Sequence, residues 1–409
     1  MRLPRLAWLT LALLPGALAH LASCSSSPAP DGAAEAGSPP VVVTPSDAAR
    51  KPDAGGDAGP LPTRKPPTLP TCLGDALTES LPLRTAGEKA YVPVIMSRVA
   101  DGGPDATPVS VGDFLVDFGA NSSSIDLRGF QTTTPPTPSF CAGDASAPGA
   151  SCSFAYFDFF GPWGTVTLTT ADYGVLLSSY RQSGILGTDF LANYPFSLDY
   201  ANTRILRGSK TAFCTDTELL AAGFAPLSTA GFFVSDPSKL RPLSDVLVAG
   251  DASVTRGFVV PNVPTVPITI GGVSALTQLD TGYDDRVLRH SMNINTALLN
   301  ALLLKDRGML TRSPEDDLFL TTCVPGLSQK AEAYRLREGT PVDFLVQEGG
   351  QVGRRDEGNV VFVKDPTGAE RCGGIDTWTV PAAQLGASFL VDAFAVVFDP
   401  LTSRVWLPK

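Results

Sequence analysis

The stretch Phe114-Leu-Val-Asp117-Phe-Gly119 decides the fold, because apolar residues lead the chain into one carboxylate and a glycine then lets it turn. A buried Asp at the end of an apolar strand is costly unless hydrogen bonds or a second charge compensate it. The chain contains a second turn of this design, Leu276-Thr-Gln-Leu-Asp280-Thr-Gly282. Two such turns are what a paired-carboxylate site requires, in which one acid holds a proton, the other is ionised and a water lies between them.

An internal repeat places the two turns at matching points of two similar halves. The segment Leu186-Gly187-x-x-Phe190-Leu191 recurs as Leu385-Gly386-x-x-Phe389-Leu390, at an offset of 199 residues between the glycines. A later Asp and Arg recur at an offset of 200 residues, as Asp199 and Arg204 and then as Asp399 and Arg404. Each half therefore consists of a strand, an Asp turn, a long middle segment, a Leu-Gly pair and a strand that ends near Asp and Arg.

Over roughly residues 85–409, these motifs resemble those of the aspartic proteases, either the two-lobed pepsin-like kind or a fused pair of retropepsin-like halves. Asp280-Thr281-Gly282 matches the family's Asp-Thr-Gly motif in full, and Asp117-Phe118-Gly119 matches it except at the middle residue. Ser183–Leu191 is similar to the family's apolar-apolar-Gly segment, which closes the loop beneath the catalytic turn. The resemblance implies an all-β fold with few short helices, in which two related β lobes hold the site between them.

The resemblance also implies an activity. An aspartic endopeptidase would hydrolyse peptide bonds of a peptide or unfolded protein substrate, using a water activated by Asp117 and Asp280. Gly119, Thr281 and Gly282 would support the two carboxylates, and no metal or organic cofactor is needed. Because two carboxylates at close range cannot both ionise cheaply, activity should favour acidic pH.

The chain departs from the family's pattern at the residues that support the carboxylates. The family has Thr or Ser between Asp and Gly, and usually Ser or Thr after Gly. Thr281 keeps this hydroxyl, whereas Phe118 and Ala120 have none. The hydroxyl of Tyr283 is on a side chain too large for the usual place. Two alternatives stay open: a weakly active or inactive protein of the same fold that binds peptides or proteins, and a structural lipoprotein in which both Asp are turn residues.

A hairpin is predicted where Phe154-Ala-Tyr156-Phe-Asp-Phe-Phe-Gly161-Pro-Trp-Gly164 leads into the alternating strand Thr165-Val-Thr-Leu-Thr169. In position it resembles the family's flap, the hairpin that closes over bound peptide. Tyr156 is then the candidate flap tyrosine that contacts substrate. The alternative is that Tyr156 is an ordinary core aromatic.

The amino terminus predicts export and a lipid anchor. Residues 1–24 have a basic start and an interrupted apolar stretch that is too short for a stable membrane span. Leu21-Ala-Ser-Cys24 resembles the lipobox of bacterial lipoproteins, which implies lipidation of Cys24; the alternative is an ordinary cleaved signal peptide. Ser25 and Ser26 follow this cysteine, so we expect anchoring to the outer membrane of a bacterial cell envelope.

The rest of the chain divides into four predicted segments. Residues 25–70 are rich in Pro, Ala, Gly and Asp and predict a disordered tether. An N-terminal β lobe with Asp117 is expected at 71–225, an inter-lobe connection at 226–260 and a C-terminal β lobe with Asp280 at 261–409.

Six cysteines remain after Cys24, and an even number in an exported chain predicts disulfides with fifteen possible pairings. Cys141 and Cys152 flank a loop of small residues, which favours a local disulfide. Cys323 and Cys372 resemble a disulfide of the second lobe in pepsin-like proteins, and Cys72 and Cys214 would then pair with each other.

Charge and histidine content exclude several other functions. The chain has 31 Lys and Arg against 41 Asp and Glu, which argues against a nucleic-acid partner. His290 is the only histidine left after removal of the signal peptide, so a histidine-rich zinc site is excluded. No Gly-x-Ser-x-Gly motif surrounds a candidate serine nucleophile. We expect a monomer whose only membrane contact is its N-terminal lipid.

Overall fold

The computed structural model of the chain describes residues 66–73, 79–86, 88–98, 109–130, 141–142, 148–173, 182–209, 213–229, 263–283, 288–321, 328–346, 349–364 and 375–409. Within these ranges the chain is mostly β, with few short helices, which confirms the predicted all-β class. The predicted signal peptide with Cys24, the tether up to residue 65, residues 230–260 of the predicted connection, Cys323 and Cys372 lie outside the described residues. None of the described helices is long and apolar enough to cross a membrane.

The strands of the first half are β1 (Glu79–Pro82), β2 (Arg84–Ala86), β3 (Lys89–Ser97), β4 (Val109–Val116), β5 (Ser124–Ile125), β6 (Cys141–Ala142), β7 (Ser151–Phe154), β8 (Tyr156–Asp158), β9 (Val166–Thr170), β10 (Gly184–Leu186), β11 (Phe196–Asp199), β12 (Arg204–Arg207) and β13 (Phe224–Ser228). Those of the second half are β14 (Thr265–Ile270), β15 (Val273–Leu279), β16 (Met292–Ile294), β17 (Leu310–Arg312), β18 (Leu318–Thr321), β19 (Ser328–Leu336), β20 (Val342–Leu345), β21 (Gln351–Arg355), β22 (Val360–Val363), β23 (Ala382–Leu385), β24 (Ala395–Asp399) and β25 (Arg404–Pro408). The α-helices are α1 (Thr188–Leu191), α2 (Asp216–Ala221), α3 (Thr296–Lys305) and α4 (Ala387–Val391).

The described strands form three sheets. The first-half sheet has the order β2-β3-β4-β10-β5-β9-β7-β6, and β8 pairs with β3. The second-half sheet has the order β17-β19-β22-β16-β23-β15-β14-β20-β21, and β18 pairs with β19. The third sheet, β1-β12-β11-β24-β25-β13, takes strands from both halves, because β11 and β24 pair antiparallel with Phe196 opposite Phe398.

Local sequence explains the hairpin that leads into the turn at Asp280. Strands β14 and β15 are joined by Gly271 and Gly272, whose φ angles are +55° and +77°. A two-residue hairpin needs positive φ at both turn positions, and glycine adopts it without a steric penalty.

Helix α3 begins after Asn295, whose side chain accepts a hydrogen bond from the backbone N–H of Leu298 at 2.9 Å. Asparagine is favoured at this position because it satisfies a free backbone donor of the first turn.

The repeated segments adopt the same structure in both halves. Each Leu-Gly pair ends a strand and begins a short helix, α1 in the first half and α4 in the second. Each helix is followed by a strand that ends at the repeated Asp. Across the next strand pair, Asp199 lies opposite Arg204 and Asp399 lies opposite Arg404.

The largest apolar cluster also takes side chains from both halves, among them Val116, Phe118, Leu279, Leu385 and Phe398. Two of the predicted disulfides are present among the described residues. Cys72–Cys214 joins the 3-10 helix Thr71–Leu73 to the segment before α2, and Cys141–Cys152 joins β6 to β7.

Candidate active site

The first turn begins where β4 ends. Strand β4 lies parallel to β10 with Val116 opposite Leu186, and the backbone N–H of Asp117 donates to the carbonyl of Leu186 at 2.9 Å. The Oδ1 atom of Asp117 accepts the backbone N–H groups of Gly119 at 2.8 Å and Ala120 at 3.1 Å. This carboxylate is therefore held by the backbone of its own turn.

The second turn repeats this arrangement at the end of β15. Strand β15 lies parallel to β23 with Leu279 opposite Leu385, and the N–H of Asp280 donates to the carbonyl of Leu385 at 2.9 Å. The Oδ1 atom of Asp280 accepts the N–H groups of Gly282 at 2.8 Å and Tyr283 at 2.9 Å. The two turns thus present their carboxylates with matching backbone support.

The two turns bring the carboxyl groups of Asp117 and Asp280 close together. Each turn glycine lies against the opposite acid. A Cβ atom added at Gly119 would be 2.3 Å from Cγ of Asp280, and one at Gly282 would be 2.4 Å from Oδ2 of Asp117. Both distances are far inside van der Waals contact, so glycine is required at both positions for the acids to approach.

The environment of Asp117 favours its protonated form. Burial raises the pKa of Asp117 well above its ordinary value, and the charge of Asp280 and the hydrogen bond to it raise it further. A backbone hydrogen bond from Gly119 and the positive charge of Lys89, which is buried near the site, act in the opposite direction without reversing the shift. Oδ2 of Asp117 receives no hydrogen bond from an N–H or hydroxyl group within the described ranges. A proton on Asp117 would give the pair its missing donor.

One side chain ties the two turns together. The hydroxyl of Thr281 donates to the carbonyl of Val116 at 2.7 Å and accepts the N–H of Phe118 at 2.9 Å. The ring of Phe118 cannot return such bonds. It is fully buried and stacks on Phe398, with ring centroids 3.7 Å apart and an interplanar angle of 12°.

Ala120 and Tyr283, the residues after the two glycines, give their carboxylates backbone support only. Ala120 has no hydroxyl. The hydroxyl of Tyr283 hydrogen-bonds with Oγ of Ser291 at 2.9 Å, and the ring packs against Gly386, where an added Cβ would lie 2.6 Å from Cδ1 of Tyr283. The Tyr283 hydroxyl therefore points to Ser291 instead of to Asp280.

A polar chain that the sequence analysis missed reaches Asp280 from β23. Gln384 donates from Nε2 to Oδ2 of Asp280 at 2.5 Å. Its Oε1 accepts hydrogen bonds from Nδ2 of Asn293 and from Nζ of Lys364, both at 2.9 Å. A signal was present in the repeat, because Gln384 is a polar residue at the position that Ile185 occupies in the first half.

The predicted hairpin around Tyr156 has a third strand. Strands β7 and β9 pair antiparallel with Phe154 opposite Val166, while β8 turns aside to pair with β3. The half-buried Tyr156 lies opposite Ser97 and its hydroxyl donates to Oδ2 of Asp158 at 2.7 Å. Among the described residues, no hydrogen bond joins Tyr156 to either site carboxylate, so its role as a flap residue stays a prediction.

The described residues contain no group of three or more His, Cys, Asp or Glu side chains that could hold a metal ion. No protein-family model matches the chain, and a search of curated proteins finds no match. What the paired carboxylates do must therefore be inferred from their own geometry.

Proposed function

We propose that the chain is an aspartic endopeptidase of the two-lobed, pepsin-like or retropepsin-like kind, with its site between two β lobes. The observation that carries the proposal is the close approach of Asp117 and Asp280, each at the end of a strand in one repeated half and each packed against the glycine of the opposite turn. Two buried carboxyl groups at this range share one proton, because a second negative charge is too costly. Such a pair can act as general acid and general base at once.

The reaction follows from the shared proton. The ionised carboxylate takes a proton from a water whose oxygen adds to the peptide carbonyl carbon, and the protonated carboxyl donates its proton to the carbonyl oxygen. The proton taken from water then passes to the leaving nitrogen as the carbon–nitrogen bond breaks. One hydroxyl of the tetrahedral intermediate returns its proton to the carboxyl group that protonated the carbonyl oxygen, which restores the starting state.

Location and substrate class form part of the same proposal. Lipidation at Cys24 would hold the enzyme at the bacterial envelope, where a peptide or an unfolded protein would be its substrate. The support for this part is the lipobox-like Leu21-Ala-Ser-Cys24 and the Pro/Ala/Gly/Asp-rich residues that follow it.

A second candidate function is the binding of peptides or proteins without cleavage. It is favoured by the burial of the acids, since Asp117 is 0% and Asp280 is 1% exposed and a substrate carbonyl must reach both. The packing of Phe118 on Phe398 also favours it, because a hydroxyl joins the two turns from Thr281 only, whereas the family resemblance implies one from each turn.

Cleavage of an unfolded protein by the purified chain from acidic to neutral pH separates these candidates. We expect cleavage at acidic pH, and a loss of at least about 100-fold in Asp117→Asn and in Asp280→Asn, because an amide can neither carry the charge nor share the proton. Asp306→Asn is the control, because Asp306 pairs with Arg337 at the surface and should leave the rate unchanged.

Two results would overturn the endopeptidase. Cleavage by either active-site variant at the wild-type rate would show that the pair is not the catalytic group. A wild-type chain that binds unfolded peptides but cleaves none of them at any pH would establish the binding function instead.

A further inference from the structure

We infer that Gln384 is a positioning residue that holds Asp280 as the ionised member of the pair and leaves the proton on Asp117. This inference rests on the proposed function and assigns different roles to two acids that the repeat makes equivalent. It is carried by the direction of each hydrogen bond around Asp280.

The orientation of the Gln384 amide is determined by its neighbours. A lysine ammonium group can only donate hydrogen bonds, so the atom that faces Nζ of Lys364 must be the amide oxygen of Gln384. The same oxygen also faces Nδ2 of Asn293. The amide NH₂ of Gln384 is therefore the group that faces Oδ2 of Asp280, at 2.5 Å.

Both oxygens of Asp280 therefore act as acceptors. Oδ2 accepts the N–H of Gln384, and Oδ1 accepts the backbone N–H groups of Gly282 and Tyr283. Hydrogen bonds donated to a carboxylate favour its ionised form. Asp117 has donors on Oδ1 only, and its Oδ2 has none among the described residues. The proton of the pair accordingly belongs on Oδ2 of Asp117.

Burial makes these bonds effective. Gln384 is 4% exposed and Asn293 is fully buried, so their hydrogen bonds are not in competition with bulk water. The positive charge of Lys364 polarises the Gln384 amide toward Asp280, which strengthens the bond to the carboxylate. Gln384 thereby supplies Asp280 with the side-chain donor that Tyr283 does not provide, because the Tyr283 hydroxyl is directed to Ser291.

Lys364 contacts Gln384 on the side of Asp280, and Lys89 and Tyr173 are titratable groups on the side of Asp117. Lys89 at the start of β3 acts on Asp117 through its charge, and burial raises the pKa of Tyr173, with smaller contributions from the charges of Asp126 and Asp117. A change at Gln384 leaves Lys89 and Tyr173 unaltered, and Lys364→Met measures the contribution of Lys364 separately. A shift in the pH profile after substitution of Gln384 therefore reports on Asp280.

The test measures kcat/KM for an unfolded protein against pH in the wild type and in Gln384→Leu. Loss of a hydrogen bond to a charged group should move the acidic limb of the profile upward by about one to two pH units. The direction follows because the ionised form of Asp280 is no longer favoured. Below that limb, kcat/KM should fall by about 10–100-fold. Lys364→Met should produce a smaller shift of the same sign, and it leaves Gln384 in place if Gln384→Leu fails to fold.

Gln278→Leu is the matched control. Gln278 lies opposite Gln384 across the β15–β23 pair and is equally buried, at 4% exposure, but it has no hydrogen bond to Asp280 within the described residues. Its substitution should leave the acidic limb where it is. Equal shifts in Gln278→Leu and Gln384→Leu would reduce Gln384 to a general packing role.

A second readout does not depend on activity. In protein labelled with ¹³C at the Asp carboxyl carbons, Gln384→Leu should raise the lower of the two transitions of the pair. If the carboxyl transitions move in Gln384→Leu but neither the wild type nor any variant cleaves, the endopeptidase proposal is wrong while the role of Gln384 stands. If the wild type cleaves and neither readout moves in Gln384→Leu or in Lys364→Met, the role of Gln384 is wrong.

Discussion

The two Asp turns have the same backbone conformation and hydrogen bonds but differ in the side chains that surround them. Both acids accept two backbone N–H groups through Oδ1, and both donate their own N–H to the leucine of a Leu-Gly pair. The matching side chains are apolar around the first turn and polar around the second, as the pairs Phe118 and Thr281, Ala120 and Tyr283, and Ile185 and Gln384 show. Backbone geometry is therefore repeated while the electrostatic environment is not.

This difference teaches how a repeated site can hold one proton unequally. Asp117 is fully buried and has a raised pKa, because burial penalises its charged form. Asp280 has a side-chain donor on Oδ2 that Asp117 lacks. A fold that supplies two equivalent turns can thus assign two roles through a few neighbouring side chains.

The largest effect is expected from Phe118→Thr, which makes both turns read Asp-Thr-Gly. The ring of Phe118 is fully buried against Phe398, so its removal leaves a cavity and should lower the free energy of unfolding by about 3–4 kcal/mol. Phe319→Thr is the control, because Phe319 is 67% exposed and should change the stability by less than about 0.5 kcal/mol. Urea unfolding measures the stability of both variants. Equal stability losses in the two would refute the packing role of Phe118.

A comparable loss is expected when either turn glycine becomes alanine. The added Cβ in Gly119→Ala or Gly282→Ala would push against the opposite carboxylate, and each variant should lose about 1–3 kcal/mol of unfolding free energy. Gly308→Ala is the control, since its nearest neighbour would be Oδ1 of Asp306 at 3.4 Å. If only one of the two turn variants is destabilised, the close approach is not mutual and the comparison of the turns fails.

Thr281→Val tests the hydroxyl that joins the two turns. The substitution keeps the shape of the side chain but leaves the carbonyl of Val116 without the hydroxyl donor, so a cost of about 1–2 kcal/mol is expected. Thr281→Ser retains the hydroxyl and should lose clearly less. Thermal or urea unfolding of the three proteins measures this, and a valine variant as stable as the wild type would show that the contact contributes nothing.

The smallest expected effect is the contribution of Asp117 to the pH dependence of folding stability. Because the pKa of Asp117 is raised in the folded state, the unfolded chain loses this proton first as pH rises. The contribution of Asp117 is therefore greatest at acidic pH and is lost as pH rises from its unfolded pKa to its folded pKa. Asp117→Asn should remove this loss and be more stable than the wild type at neutral pH.

Asp280→Asn provides the contrast, because it places an amide against the NH₂ of Gln384 and should not gain stability. Urea midpoints of the three proteins from about pH 4 to about pH 7 test the pair. A neutral-pH gain in Asp280→Asn and none in Asp117→Asn would invert the comparison between the acids.

Several features of the site were predictable from the sequence because they depend on neighbours in the chain. Each Asp follows an apolar strand and precedes a glycine, so its position at a strand end was readable from the local pattern. The repeat of the Leu-Gly segments predicted that the two turns would be built alike. The paired glycines 271 and 272 are a further local signal, because a tight turn with positive φ at both positions strongly favours glycine.

The hydroxyl of Tyr283 and the ring of Phe118 show where such prediction ended. The sequence identified both as departures from the family's pattern, but it did not reveal what replaced the missing hydroxyls. That depended on Ser291 and Phe398, which have no local relation to the turns and lie near them only through the sheets.

By itself, the sequence determined the two carboxylates and their glycine turns, since turn residues and repetition are local properties of the chain, and the family resemblance of these motifs implied the all-β class. The tertiary structure alone decided which acid receives a side-chain donor, because Gln384 lies 104 residues from Asp280 and reaches it only through the parallel pairing of β15 and β23. A hydrogen bond between distant residues has no local sequence pattern that predicts it, whereas each backbone turn has one.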